Sequence, residues 1–219
     1  MSIAQNLLKI KSSLPSTVTL VAVSKTKPIP DLKEAYDAGQ RIFGENKIQE
    51  MAEKWEAMPK DIQWHMIGHV QTNKVKFMAQ FVNLIHGVDS LKLLEEINKQ
   101  AQKNNRIIDC LLQIYIAEEE TKFGLDEEEL NEILASSAFK EMKNIRIVGL
   151  MGMATFTENQ NQIKKEFTHL KTIFDKLQPL NTENCQLNTI SMGMSGDYQL
   201  AIECGSTMVR IGSSIFGGR

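Results

Sequence analysis

Eight short apolar runs separated by stretches of helical periodicity are the feature that most limits how these 219 residues can fold. The runs lie near 17–24, 41–43, 62–67, 82–86, 107–116, 145–151, 187–191 and 208–211. Helical patterns fall near 29–39, 46–58, 72–80, 90–104, 126–138, 158–177 and 196–203. A run such as IIDCLLQIYIA has no polar face, as a strand covered on both sides requires. In SLKLLEEINKQAQ, Leu91, Leu94 and Ile97 recur on one helix face, and Ser90 behind Asp89 suits a helix start. Strand alternating with helix implies parallel strands joined by right-handed crossovers. Eight such units close into a barrel, for which about 200 residues is the lower end of the usual range. The expected fold is therefore α/β: a single (β/α)8 TIM barrel over residues 1–219, preceded by an extra N-terminal helix in MSIAQNLLKIKSSL. The second run, RIFG, is weak, and fewer strands in an open sheet is the alternative.

The first segment lacks the long apolar core and small-residue cleavage signal of a signal peptide. No apolar run approaches the roughly 20 residues that span a bilayer. With a net charge of −2 the chain has no general attraction for nucleic acid or an anionic membrane. Cys110, Cys185 and Cys204 are widely spaced and form no C-x-x-C pair, which fits a reducing compartment rather than a disulfide framework or a zinc site. A cytoplasmic protein is expected. His65 and His69 stand four apart, but Gly68 and the strand context break the helical geometry of a metal pair, and no metal site is expected.

Chemistry in such a barrel gathers where the strands end. The first strand ends at Ser24-Lys25, the second at Glu45-Asn46 in FGEN, and the third at His69. The seventh runs into SMGMSGD and the eighth into VRIGSSIFGG. The loops after the last two strands are the customary phosphate cradle of barrel enzymes. SMGMSGD supplies Ser191, Ser195, Gly193 and Gly196, and the final loop supplies Gly212, Ser213 and Ser214. Small residues let backbone N–H groups approach an anion. Neither G-x-x-x-x-G-K-[ST] nor G-x-G-x-x-G occurs. A lysine opposite a phosphate cradle suggests Schiff-base chemistry, because burial among apolar groups favours a free, nucleophilic amine. The aldehyde partner is then either a sugar phosphate or pyridoxal 5′-phosphate. Arg210 either forms an ion pair at the mouth or points inward at the phosphate or a ring nitrogen.

The segments VAVSKTKP, FGENKIQE, WHMIGHVQTNK and SMGMSGDYQLAIECGSTMVRIGSSIFG resemble, in order and over nearly the whole chain, the pyridoxal-phosphate homeostasis proteins (the YggS/PROSC-like family). That family is similar to the barrel domain of fold-type III enzymes such as alanine racemase, without the racemase's second domain. The resemblance implies that Lys25 holds pyridoxal phosphate covalently as a Schiff base and that Ser191, Gly212 and Ser213 take the phosphate. It further implies that Arg210 faces the pyridine nitrogen and Asn46 lies beside the ring.

An arginine at that nitrogen disfavours ring protonation and weakens the ring as an electron sink. The racemase also needs a tyrosine from its second domain, and Tyr36, Tyr115 and Tyr198 offer no obvious replacement. No residue is therefore assigned a catalytic role. The implied function is a carrier or regulator in intracellular vitamin B6 and amino/keto acid homeostasis. It would be a monomer that handles pyridoxal phosphate, with amino acids and apo forms of pyridoxal-phosphate enzymes as further partners. The alternative is a weak amino-acid racemase or another pyridoxal-phosphate enzyme.

Overall fold

Ser2 starts the chain's first helix, α1 (Ile3–Ser13), through a capping box. Its hydroxyl accepts the Gln5 N–H while the Gln5 side chain accepts the Ser2 N–H. The computed structural model describes residues 2–118 and 123–218. The run EEETK falls largely on residues 119–122, outside the described residues. Among the described residues no helix is long and apolar enough to cross a membrane.

Eight strands form the barrel: β1 (Thr19–Val23), β2 (Ile42–Glu45), β3 (Gln63–Met66), β4 (Val82–Val88), β5 (Ile108–Gln113), β6 (Ile145–Met151), β8 (Cys185–Met194) and β9 (Met208–Ile211). All pair in parallel, and the β6–β8 and β9–β1 ladders close the ring. The two-residue β7 (Asn181–Thr182) adds one antiparallel turn at the start of β8. The weak run RIFG is a true barrel strand, because β2 pairs with both β1 and β3 through backbone groups that its short side-chain pattern does not advertise.

Alternation along the strands sorts residues between two cores. Outward-facing Phe43, Trp64, Ile85, Leu112, Ile147 and Ile190 pack under the helices. Val21, Leu84, Leu111, Val148, Met151 and Met208 form a separate interior plug. Two residues further along the same faces, the interior turns polar: His86 follows Leu84, Gln113 follows Leu111 and Arg210 follows Met208, all buried. At the β6–β8 seam, a Cβ built on Gly149 would stand 1.7 Å from the Thr189 carbonyl oxygen, so the backbones meet where a side chain has no room.

The helices are α2 (Ile29–Asp37), α3 (Ile48–Ala57), α4 (Leu91–Lys103), α5 (Glu127–Ala135), α6 (Ser137–Glu141), α7 (Gln160–Leu177), α8 (Tyr198–Glu203) and α9 (Ser213–Phe216). Two expectations change. The pattern over 72–80 forms a 3-10 helix, Thr72–Phe77. The pattern over 126–138 breaks at Ser136, whose hydroxyl caps α6 by accepting the Phe139 N–H. The extra helix α1 is stitched to the rest by Asn6, which donates to the Ile215 carbonyl, and by Glu34, which accepts the Ala4 N–H.

Candidate functional site

The chain leaves β1 at Val23 and turns through Ser24, Lys25 and Thr26, which puts Lys25 half-buried at the barrel mouth. A cavity of about 530 Å³ opens there at the C-terminal ends of the strands. Lys25, Asn46, Arg210, Gly212 and Ser213 line it together, with Ser195, Met194, Asp197 and Gln113. Among the described residues, no hydrogen bond or ion pair engages the Lys25 amine. Lys27 is committed elsewhere: its ammonium donates to the carbonyls of Phe216 at 3.1 Å and Gly218 at 3.0 Å, drawing the C-terminal segment over the mouth.

Ser191, expected among the phosphate ligands, is the exception. It is fully buried and does not line the cavity. The expected strand end at 191 is too early, because β8 continues to Met194 through a register shift against β9. Gly193 carries that bulge at φ +95°, and a Cβ there would lie 2.6 Å from that of Ala201, so glycine is required. The extension leaves Ser191 inside the barrel and brings Ser195 to the mouth. Ser195 Oγ accepts the N–H of Gly212 at 3.2 Å and of Ser214 at 3.5 Å, marking the point on which those amides converge. Asp197, the acid beside them, is tied back by the Met194 N–H at 2.6 Å; burial raises its pKa, and that hydrogen bond opposes the rise.

Arg210 is 4% exposed. It donates to the Ser191 carbonyl at 2.8 Å, the Ser191 hydroxyl at 2.6 Å and the Gly152 carbonyl at 3.1 Å. Among the described residues it makes no ion pair, and burial pushes its pKa down to about 10 against the more distant pull of Asp197. A buried guanidinium held only by neutral acceptors favours an electron-rich ligand atom beside it. From Ser191 the chain of contacts continues to His86 Nδ1 at 3.0 Å, and from His86 Nε2 to His65 Nδ1 at 3.1 Å. These contacts are satisfied when Arg210 donates to Ser191, Ser191 to His86 and His86 to His65. His86, the last residue of the run expected over 82–86, is thus a link in the interior network, because β4 runs on to Val88.

Both imidazoles are held neutral. Burial takes the His65 pKa down to about 3, and burial, His65 and Arg210 together hold His86 well below its usual value. In the unfolded chain these groups take up protons below about pH 6.5, whereas the folded protein does not, so stability falls as pH drops through that window. Each group contributes a slope of about 1.4 kcal/mol per pH unit. Urea unfolding between pH 6 and 4 is expected to show a slope shallower by about that amount in His65→Gln than in the parent protein. Parallel curves for the two proteins would contradict a buried neutral His65.

His69 lies apart from this pair. It is exposed, stacks on Phe123 and sits 3.3 Å from Asp89, and no metal-binding cluster occurs among the described residues. Glu45, Lys54 and Glu50, which surround the Lys25 turn, escaped sequence reasoning as a group because no motif links a strand end to the middle of a helix.

A parallel barrel with a lysine after its first strand and a serine–glycine cradle after its last two defines the class of the alanine racemase barrel. The family model described as alanine racemase, N-terminal domain, matches residues 1–219. Alanine racemase from E. faecalis shares the fold, with TM-score 0.79 and 18% identity over 99% of this chain and 58% of that one. Nearer relatives are the pyridoxal phosphate homeostasis protein of Aquifex aeolicus, 41% identical over 91% of this chain and 86% of that protein, and that of Escherichia coli K12, 36% identical over 99% and 97%. PipY of Synechococcus elongatus, solved with PLP bound, superposes with TM-score 0.89 at 34% identity, over 99% of this chain and 100% of that one. The chain belongs to the pyridoxal phosphate homeostasis protein family.

Proposed function

We propose that this protein binds pyridoxal 5′-phosphate as a Schiff base on Lys25 and acts as a reversible carrier or regulator in intracellular vitamin B6 and amino/keto acid homeostasis. One observation carries the reading. Among the described residues, a lysine amine without a hydrogen bond or ion pair, a buried guanidinium without a counter-ion at contact, and the Gly212 amide with Ser213 and Ser195 beside it all border one cavity. That donor set fits an aldehyde, a pyridine nitrogen and a phosphate carried by one small molecule. The Gly212, Ser213 and Ser195 groups bind the phosphate, Asn46 flanks the ring, and Arg210 donates toward the ring nitrogen, assisted by Ser191 from below. When bound, the group supplies a carbonyl that amines attack reversibly, which is what a carrier needs.

The lining favours carriage over racemisation. Lys25 stands on one side, whereas Tyr36 donates to Asp61 on the outer surface, and no tyrosine occurs among the described lining residues. We further propose that the chain works as a single barrel domain, monomeric and cytoplasmic, exchanging the cofactor with amino acids and with apo enzymes that use it.

The test is the visible spectrum of protein incubated with pyridoxal phosphate, followed by borohydride reduction and peptide mapping. A reduced adduct on Lys25 is expected. An adduct confined to other lysines would remove the assignment, and trapping that needs an added sugar phosphate would favour an aldolase.

A further inference from the structure

The turn that carries Lys25 is backbone-strained. Thr26 adopts φ +63°, a left-handed conformation that a β-branched residue rarely occupies. Such a conformation persists only where its surroundings impose it. Here the constraint comes from α3 and the end of β2. The Thr26 N–H donates to Glu50 Oε1 at 2.6 Å. The Ser24 carbonyl accepts from Lys54 Nζ at 2.7 Å, and the Ser24 hydroxyl donates to Glu45 Oε1 at 2.5 Å. Lys54 joins these two points by donating to Glu45 and to Glu50, each at 2.7 Å. The residues on both sides of Lys25 are therefore held by one ammonium and two carboxylates, while the Lys25 amine has no hydrogen bond or ion pair among the described residues.

Global stability alone is a poor reason for this arrangement. Glu45 is fully buried, Lys54 is 5% exposed, and Glu45 Oε2 has no hydrogen-bond partner among the described residues. Apolar replacement of such buried ion clusters is often neutral or stabilising. A cluster that instead dictates one backbone path has local work to do.

We infer that Lys54, with Glu45 and Glu50, is a positioning device that holds the Lys25 turn so that its amine faces the cavity. This rests on the reading of Lys25 as the pyridoxal-phosphate lysine. Lys54 is not among the described residues that line the cavity, and its described hydrogen bonds go to Ser24, Glu45 and Glu50, so its effect on the cofactor is indirect.

The test uses pyridoxal phosphate as the probe, with three readouts: the dissociation constant from absorbance titration, the borohydride-trapped yield on Lys25, and the thermal midpoint by circular dichroism. Glu50→Ala removes the Thr26 acceptor from a partly exposed position and is expected to weaken binding about tenfold and lower the Lys25 yield, with little change in thermal midpoint. Glu50→Gln keeps an acceptor oxygen for the Thr26 N–H and is expected to stay within about threefold of the parent. The pair Glu45→Gln with Lys54→Met removes both buried charges, leaves Glu50 partly exposed to solvent with the Thr26 N–H still donating to it, and is expected to remain folded with affinity reduced tenfold or more. Parental affinity and Lys25 yield in both Glu50→Ala and the charge-free pair would overturn the inference, provided the parent is labelled on Lys25. A parent unlabelled on Lys25 overturns the cofactor assignment first, and the positioning role with it.

Discussion

Lys25→Ala is expected to abolish covalent pyridoxal phosphate and leave the barrel folded. The reasons are geometric. Lys25 stands on a turn beyond β1, is half-exposed and has no hydrogen-bond or ion-pair partner among the described residues, so its removal breaks no described polar contact. Substitutions at positions of that kind stay within about 0.5 kcal/mol of the parent. The proposed phosphate donors at Gly212, Ser213 and Ser195 survive, so weak non-covalent binding is expected to remain, with affinity down by about a hundredfold, or roughly 2.7 kcal/mol. Absorbance of the loaded variant and intact mass after borohydride read the first half, and thermal unfolding by circular dichroism reads the second. A variant that keeps the parental absorbance and adduct yield would contradict the site.

Gly149→Ala is expected to have the largest effect on stability. Gly149 pairs with Thr189 where β6 meets β8, and a methyl there would sit 1.7 Å from the Thr189 carbonyl oxygen. That oxygen belongs to the backbone, so no rotamer change relieves the clash and the closing seam itself must open. Overpacking costs 1–3 kcal/mol even where side chains can yield. About 3 kcal/mol or more is expected here, a large share of the 5–15 kcal/mol that holds a typical domain together. Urea midpoints measure it. Gly196→Ala, with nothing within 4 Å of the added carbon, serves as the control and should shift stability by less than about 0.5 kcal/mol. A Gly149→Ala midpoint equal to the control would show that the seam has slack.

Sequence and structure part company at identifiable places. The apolar runs located all eight barrel strands, because strands buried on both faces cannot hide their composition. RIFG was hard to judge, since a four-residue strand earns its place through backbone pairing on both sides, which leaves little trace in side-chain type. Lys25, Asn46, Arg210, Gly212 and Ser213 were legible as strand-end residues, and all five border the cavity. Ser191 was misplaced by a strand end read three residues early. A bulge at Gly193 carries the strand past the point where a Ser-Met-Gly run suggests a turn, so Ser195 inherits the mouth. The His65–His86–Ser191–Arg210 line joins four different strands and has no counterpart in local spacing.

Periodicity and strand-end chemistry act between near neighbours along the chain, so the alternation of elements, the closed parallel class and the position of the lysine that ends the first strand follow from residue order. Depth inside the barrel, the partner of each buried polar group and the clamp on the Lys25 turn depend on strand register, and register is an agreement among segments as far apart in sequence as Thr19 and Met208 that exists only once the ring has closed.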